Sequence, residues 1–253
     1  MIYADKIYDT LVSICRKDKR GLSLSIDDFN NLAVQVNQRI FRLNYSNFET
    51  SKLSMDEMDS FKITDYAINL DANGIGQLPT NYYHLVGDPY YYHPTTGERR
   101  KIELVTSLEY GNREMDYLSK PTALYPLVFM GYGATSDDMS LYARPKTDMG
   151  SKTIYIDYIR SVNTPFLDYY TDDTTFEITY MAEGATVTVP LGSTSRSGLA
   201  GSVAVVSQTK NFEWHEHDIP QTINLFLGLI GIQLSSQDLQ QISATYEPVI
   251  EKE

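Results

Sequence analysis

The apolar residues of this 253-residue chain change their repeat near residue 61 and change it back beyond Trp214. Those changes set the order of helices and strands more firmly than any motif does. Tyr3, Ile7, Leu11 and Ile14 are spaced by four, four and three, and Phe29, Leu32, Val36, Ile40 and Leu43 by three or four, the repeat of helices with one apolar face. Helices are therefore predicted over 3–17, with Gly21 just beyond as a C′ residue, and over 26–44, with Ser25 as N-cap and Asp28 in the first turn. Ser54 and Glu57 make a capping-box pattern that opens a short third helix with Met55, Met58 and Phe61.

After Phe61 the repeat shortens to two. Tyr66, Ile68 and Leu70 alternate with Ala67 and Asn69 ahead of the turn signal Asn73-Gly74. Similar runs predict strands over 101–108, 124–132, 139–144, 153–160, 176–181 and 186–189. The strongest is Thr153-Ile154-Tyr155-Ile156-Asp157-Tyr158-Ile159, rich in β-branched and aromatic residues. Seven prolines between Pro79 and Pro165 belong at strand starts, edges or loops. Alternation lapses between Glu109 and Ser119, where a short helix is predicted to end before Pro121. The small, polar stretch from Leu191 to Ser202 separates the runs TVTV and VAVV. It reads either as an exposed or disordered loop or as the tip of a hairpin that reaches a neighbouring subunit.

Beyond Trp214 the helical repeat returns: Ile219, Thr222, Ile223, Phe226, Leu227 and Ile230 share one face. A last helix, capped at Ser235 or Ser236, carries Leu239, Ile242 and Tyr246 as far as Pro248. The apolar run from Ile223 to Ile232 is too short to cross a bilayer. The expected class is α+β. Residues 1–62 supply N-terminal helices, 63–218 an antiparallel, sandwich- or barrel-like β-rich region with a short helix near 109–119, and 219–253 C-terminal helices that pack back on the first to complete a helical body.

Composition narrows the function. The 21 Lys and Arg against 33 Asp and Glu give a net charge of −12, which disfavours a nucleic-acid reader, since affinity for phosphates comes largely from basic side chains. Residues 1–50 hold 7 basic and 6 acidic groups, leaving 21 − 7 = 14 basic and 33 − 6 = 27 acidic beyond them, so the acidity belongs to the strand region and the C-terminus. The single cysteine, Cys15, can form no internal disulfide. Asp5 and Lys6 stand where a signal peptide needs an apolar core, so an unanchored protein made in the cytoplasm is expected. Twenty tyrosines against nine phenylalanines suit either tyrosine-rich sheets or a wet subunit-facing surface.

No catalytic motif emerges. His215-Glu216-His217 spaces its imidazoles by two, unlike HExxH, and no third ligand can be identified from sequence, so no metal site and no cofactor are assigned. Asp71, Asn73 and Gly76 begin like a calcium loop, but Ile75 and Tyr82 occupy positions that need ligands. Gly74-Ile75-Gly76 and Gly131-Tyr132-Gly133 lack the third glycine of a dinucleotide site and read as turns. A nonenzymatic protein is expected, with no residue to name as catalytic.

Several segments, taken in order, resemble a known family. They are the N-terminal helix pair; Leu78-Pro79-Thr80-Asn81-Tyr82-Tyr83-His84-Leu85; Lys120-Pro121-Thr122 with Tyr125-Pro126; Leu141-Tyr142-Ala143-Arg144-Pro145; Ile156-Asp157-Tyr158-Ile159-Arg160; and Phe212-Glu213-Trp214 before a helix and Gly231-Ile232. Over about residues 26–246 the chain resembles the tail-adaptor or ring proteins, the head-to-tail connectors of short-tailed bacteriophages, most closely those of crAss-like phages. It departs from the frequent R-x-P-x-x-P strand ending, since Arg160-Ser161-Val162 retains only the later Pro165.

The resemblance implies a structural virion protein of the tail, assembled in the bacterial cytoplasm as a ring of twelve copies against the portal protein or neighbouring tail rings. Double-stranded DNA would pass through it without specific binding, and no membrane is involved. An acidic conduit agrees, because it repels phosphate. Candidate subunit- or ring-contact residues are Tyr82, Tyr83 and Tyr91 in the proline-rich segment, Arg196 in the small polar loop, and Trp214. The main competing class is a glycan-binding module of a phage receptor-binding complex, in which clustered tyrosines, Trp214 and acidic loops would meet sugar. A polysaccharide hydrolase with paired carboxylates is a further alternative.

Overall fold

The N-terminal helical repeat folds at its expected positions in a computed structural model that describes residues 1–17, 24–48, 52–93, 96–132, 139–196, 198, 202 and 204–233. Helix α1 spans Ala4–Lys17 and α2 spans Ile26–Ser46. Ser25 is the N-cap of α2: its hydroxyl accepts a hydrogen bond from the amide of Asp28 at 3.1 Å, and Asp27 and Asp28 complement the positive end of the helix dipole. Helix α3, Lys52–Asp59, begins two residues before Ser54. Ser54 is therefore inside the helix and is not its cap. Gly21 and the expected helix over 235–246 lie outside the described residues.

The chain divides into two compact units, one of residues 58–161 and one that combines 1–57 with 162–253. The fold is α+β, as expected. The segment 162–218 belongs to the same unit as the terminal helices, so that unit carries strands of its own.

Within 58–161 the elements run in chain order β1 (Lys62–Asn69), β2 (Ile75–Gln77), β3 (Tyr82–Leu85), β4 (Tyr90–Tyr92), β5 (Arg99–Lys101), β6 (Glu103–Leu104), α4 (Ser107–Met115), β7 (Leu127–Tyr132), β8 (Met139–Arg144), α5 (Lys146–Met149) and β9 (Thr153–Arg160). One sheet has the order β1-β9-β4-β5, with β3 also paired to β9; the other is β2-β8-β7-β6. All pairs are antiparallel except β6 with β7. Ile68, Tyr91, Ile154, Ile156 and Tyr158 of the first sheet share one core with Val128, Leu141 and Ala143 of the second, which makes this unit a β-sandwich. Gly76 of β2 is required there: a Cβ at that position would lie 2.3 Å from the side chain of Ile68. It is thus a packing position and not the turn expected from sequence.

The strand expected over 101–108 is interrupted. The Ile102 amide still donates to the Pro89 carbonyl on the β4 side at 2.7 Å and its side chain is buried, Glu103 and Leu104 then pair with β7, and Thr106 caps α4 by accepting from the amide of Glu109 at 3.2 Å.

In the other unit, β10 (Tyr169–Asp172), β11 (Ile178–Tyr180) and β13 (Ser193–Ser195) form a sheet of order β11-β10-β13. Strands β12 (Thr186–Thr188) and β14 (Ala204–Val206) make an antiparallel pair. Ser193–Ser195 is therefore ordered sheet with both serines buried, where an exposed loop or hairpin tip was expected. Helix α6, Ile219–Gln233, packs on α1 and α2, with Phe226 stacked on Phe29 at 5.1 Å.

Helix α2 also buries Asn30, Asn37 and Asn44, one every seven residues. The side chain of Asn37 donates to the Asn163 carbonyl at 2.7 Å and accepts from the indole of Trp214 at 2.7 Å. Asn37→Ala strands the buried indole N–H and is expected to cost about 1–3 kcal/mol. The urea midpoint, followed by fluorescence of Trp214, the only tryptophan, will fall accordingly. The buried Asn44 amide nitrogen has no hydrogen-bond partner among the described residues, so Asn44→Leu in the same assay is expected to be neutral or stabilising.

Candidate functional site

The contact residues expected from sequence do not converge on one surface. Tyr91, 3% exposed, faces the sandwich core, and Trp214, 1% exposed, is hydrogen-bonded inside its unit. Neither can meet another subunit, because each is already packed within its own chain. Tyr82 is half-buried against Tyr158, ring centroids 5.9 Å apart, and donates its hydroxyl to the sulfur of Met130. Tyr83 is exposed. Arg196 is held within its own unit: its guanidinium contacts Asp27, at the start of α2, at 2.9 Å and lies 4.7 Å from the centre of the Phe166 ring.

A different surface stands out in residues 107–125 of the sandwich unit. Helix α4 buries no residue at all. Leu108, Met115, Tyr117, Leu118, Leu124 and Tyr125 are between 71% and 93% exposed. Six large apolar side chains exposed within these nineteen residues, the 107–125 arm, are a local concentration of the kind found at interaction sites.

The arm is nonetheless shaped. Tyr110 stacks on Phe129 at 4.8 Å, and Phe129 on Tyr142 at 4.9 Å. Arg113 grips both carboxylate oxygens of Glu103, at 2.9 and 2.8 Å, and Glu109 at 2.6 Å. The guanidinium holds the Glu103 carboxyl below its ordinary range. Asp116 closes the turn after α4 by accepting from the amide of Leu118 and the hydroxyl of Ser119. Sequence reasoning placed a helix here but did not single out its apolar residues; the available signal was apolar residues that follow neither the helical nor the strand repeat.

The acidic motifs resolve into structure. Asp71 accepts from the amides of Asn73 and Ile75, both at 2.8 Å, so its carboxylate closes a turn. Those amides hold its carboxyl below the ordinary value. An open groove between α1 and β11 is lined by Tyr8, Asp9, Val12, Ser13, Phe176, Ile178 and Tyr180. It contains no histidine to activate Ser13, and Tyr180 donates to Asp9 at 3.0 Å.

One cluster does bring ligand-type residues together. Nε2 of His217 lies 3.1 Å from Glu57 Oε1 and 3.6 Å from Asp218 Oδ1. All three residues belong to the unit of 1–57 and 162–253. The side chains of Glu57 and Asp218 are 7% and 5% exposed, whereas His217 is 56% exposed. The His215 ring stacks on His217 at 5.5 Å. Sequence reasoning reached His215 and His217 but missed Glu57, which is 160 positions away along the chain.

No protein-family model matches the chain, and none of the curated proteins matches it significantly. Among the described residues no helix is long and apolar enough to cross a membrane.

Burial, and then the neighbouring Glu57 carboxylate, raise the Asp218 pKa above its ordinary 3.8. A carboxyl whose folded-state pKa is raised loses stability as pH climbs through the interval between its unfolded and folded values. Asp218→Asn is therefore expected, in chelator-containing buffer, to raise Tm at pH 7 by about 2–4 °C. The gain should shrink towards zero as pH falls to 4, which a calorimetric pH series will show.

Proposed function

We propose that this chain is a structural, nonenzymatic component of a bacteriophage tail, a ring-forming head-to-tail connector through which the genome passes. The observation that carries the reading is the shaped, solvent-exposed apolar arm of residues 107–125. A monomer gains nothing from holding Met115, Tyr117 and Leu118 in water, whereas a ring buries such a surface at every subunit boundary through head-to-tail contacts that close. Two segments that carry the family resemblance, Lys120-Pro121-Thr122 and Tyr125-Pro126, lie in this arm or at its end.

Two further features support the proposal. A net charge of −12 suits a channel that DNA slides through without adhering. The sandwich core and the Asn-bridged helical unit are two bodies with internal packing of their own, as a ring subunit would need. Twelve copies, contact with the portal protein or adjacent rings, and virion location belong to the same proposal and rest on the resemblance.

A glycan-binding role is the second reading. Tyr117 and Tyr125, 93% and 77% exposed, present aromatic faces that could stack on sugar.

The test uses the full chain alone and with a candidate portal protein, measured by light scattering and negative-stain imaging. The wild type is expected to form closed rings, alone or on the portal. Leu118→Asp and Tyr125→Ser should leave Tm within about 1 °C, because surface substitutions cost little, yet reduce ring assembly at least tenfold. A wild type that stays monomeric even with the portal would sink the connector reading, and binding of that monomer on a glycan array would put the sugar reading in its place.

A further inference from the structure

Two carboxylates buried side by side repel each other, and each needs a counter-charge. The charged groups that bear most on Asp218 are Glu57, His217 and His215. Asp218 Oδ2 is fully buried and makes no hydrogen bond. The histidine offered as counter-charge reaches Asp218 only at 3.6 Å, beyond a hydrogen bond.

The separations are also those of a metal-binding cluster. Bonds of 2.0–2.2 Å to a tetrahedral zinc ion place ligand atoms about 3.3–3.6 Å from one another. The two edges from His217, 3.1 and 3.6 Å, bracket that interval, and one ligand atom from each of the three residues falls within 4.8 Å of the others. We infer that Glu57, His217 and Asp218 form a binding site for a divalent transition metal of zinc type, with solvent as the fourth ligand.

The ligand set selects within the divalent ions. One imidazole and two carboxylates suit zinc, whereas calcium and magnesium take six or more oxygen ligands. The exposed edge of His217 gives the ion its way in and leaves room for the water. The stacked ring of His215 sets the orientation of His217 from outside the site. A bound ion would also clip α3 to the 3₁₀ turn Glu216–Asp218 that leads into α6, closing a loop of 160 residues. The site is independent of the connector reading, since it uses no residue of the arm.

The experiment takes the full chain, stripped with chelator and dialysed, and titrates it with zinc chloride by calorimetry and by thermal melting. One equivalent should bind, and Tm should rise by about 5 °C at a hundredfold excess over Kd. Magnesium and calcium chloride should produce no shift. Glu57→Gln and Asp218→Asn, which conserve size and remove one of two repelling charges, are expected to fold without metal and to lose at least tenfold in zinc affinity. His215→Ala should retain binding within about threefold. Failure of the folded wild type to take up zinc would overturn the site. So would unchanged affinity in both carboxylate variants, or loss of affinity in His215→Ala alone, which would place any zinc on the exposed histidine pair.

Discussion

The buried asparagines of α2 are the constraint on which the larger unit depends. Asn30 pairs with both backbone groups of Leu167, donating to its carbonyl at 3.0 Å and accepting from its amide at 2.8 Å, as a neighbouring strand would. Asn37, two turns on, takes the Asn163 carbonyl and the Trp214 indole. A helix side chain can satisfy an extended backbone in this way only in one register, and a buried amide left unpaired is costly. The chain that leaves the sandwich at Ser161 is thus fixed against α2 from 163 to 167. It enters β10 at Tyr169 from there, and on the same helix Phe29 stacks on Phe226 of α6.

The sandwich unit has a different organiser. Strand β9 pairs with β1, β3 and β4, so Ile154 and Ile156 lie at the centre of its core. Tyrosines decorate the same strand: Tyr155 packs with Tyr90 and Tyr92, and Tyr158 with Tyr66 and Tyr82, at ring separations of 5.1 to 5.9 Å. Much of the tyrosine excess that could have marked a subunit interface is absorbed here as cross-strand packing.

Local periodicity made the helices and β9 legible in the sequence, because a helix face or an alternating strand is written in adjacent residues. Ser25, Phe29 and Ile156 announced their roles. What could not be read depended on partners far along the chain. The buried asparagines look like any polar residue on a helix until Leu167 and Trp214 are placed beside them. Ser193 and Ser195, small and polar, gave no strand signal, since their burial comes from pairing with Asp172 and Tyr170. Glu57 read as half of a capping box, and only the folded chain sets it beside His217. Tyr91 and Trp214 are buried although their type also suits a contact surface, for a related reason: an aromatic residue suits an interface and a core equally well, and composition cannot tell one from the other.

In the proposed ring, the arm and the net negative charge would pull assembly in opposite directions, and their balance bears on how such a chain would avoid premature association. Burying a side chain such as Leu118 or Met115 contributes about 1.5–3 kcal/mol, so the exposed apolar residues of the arm could outweigh the entropy of docking. Bringing copies of net charge −12 together opposes this, through repulsion that is long-ranged but screened within about 8–10 Å by salt. The apolar term acts only at contact, and the electrostatic term before it. Under the proposed connector reading, such a subunit would repel its copies until something aligned them closely enough for the arm to seat, so a portal-like template would act by supplying alignment and would need to add little binding energy of its own.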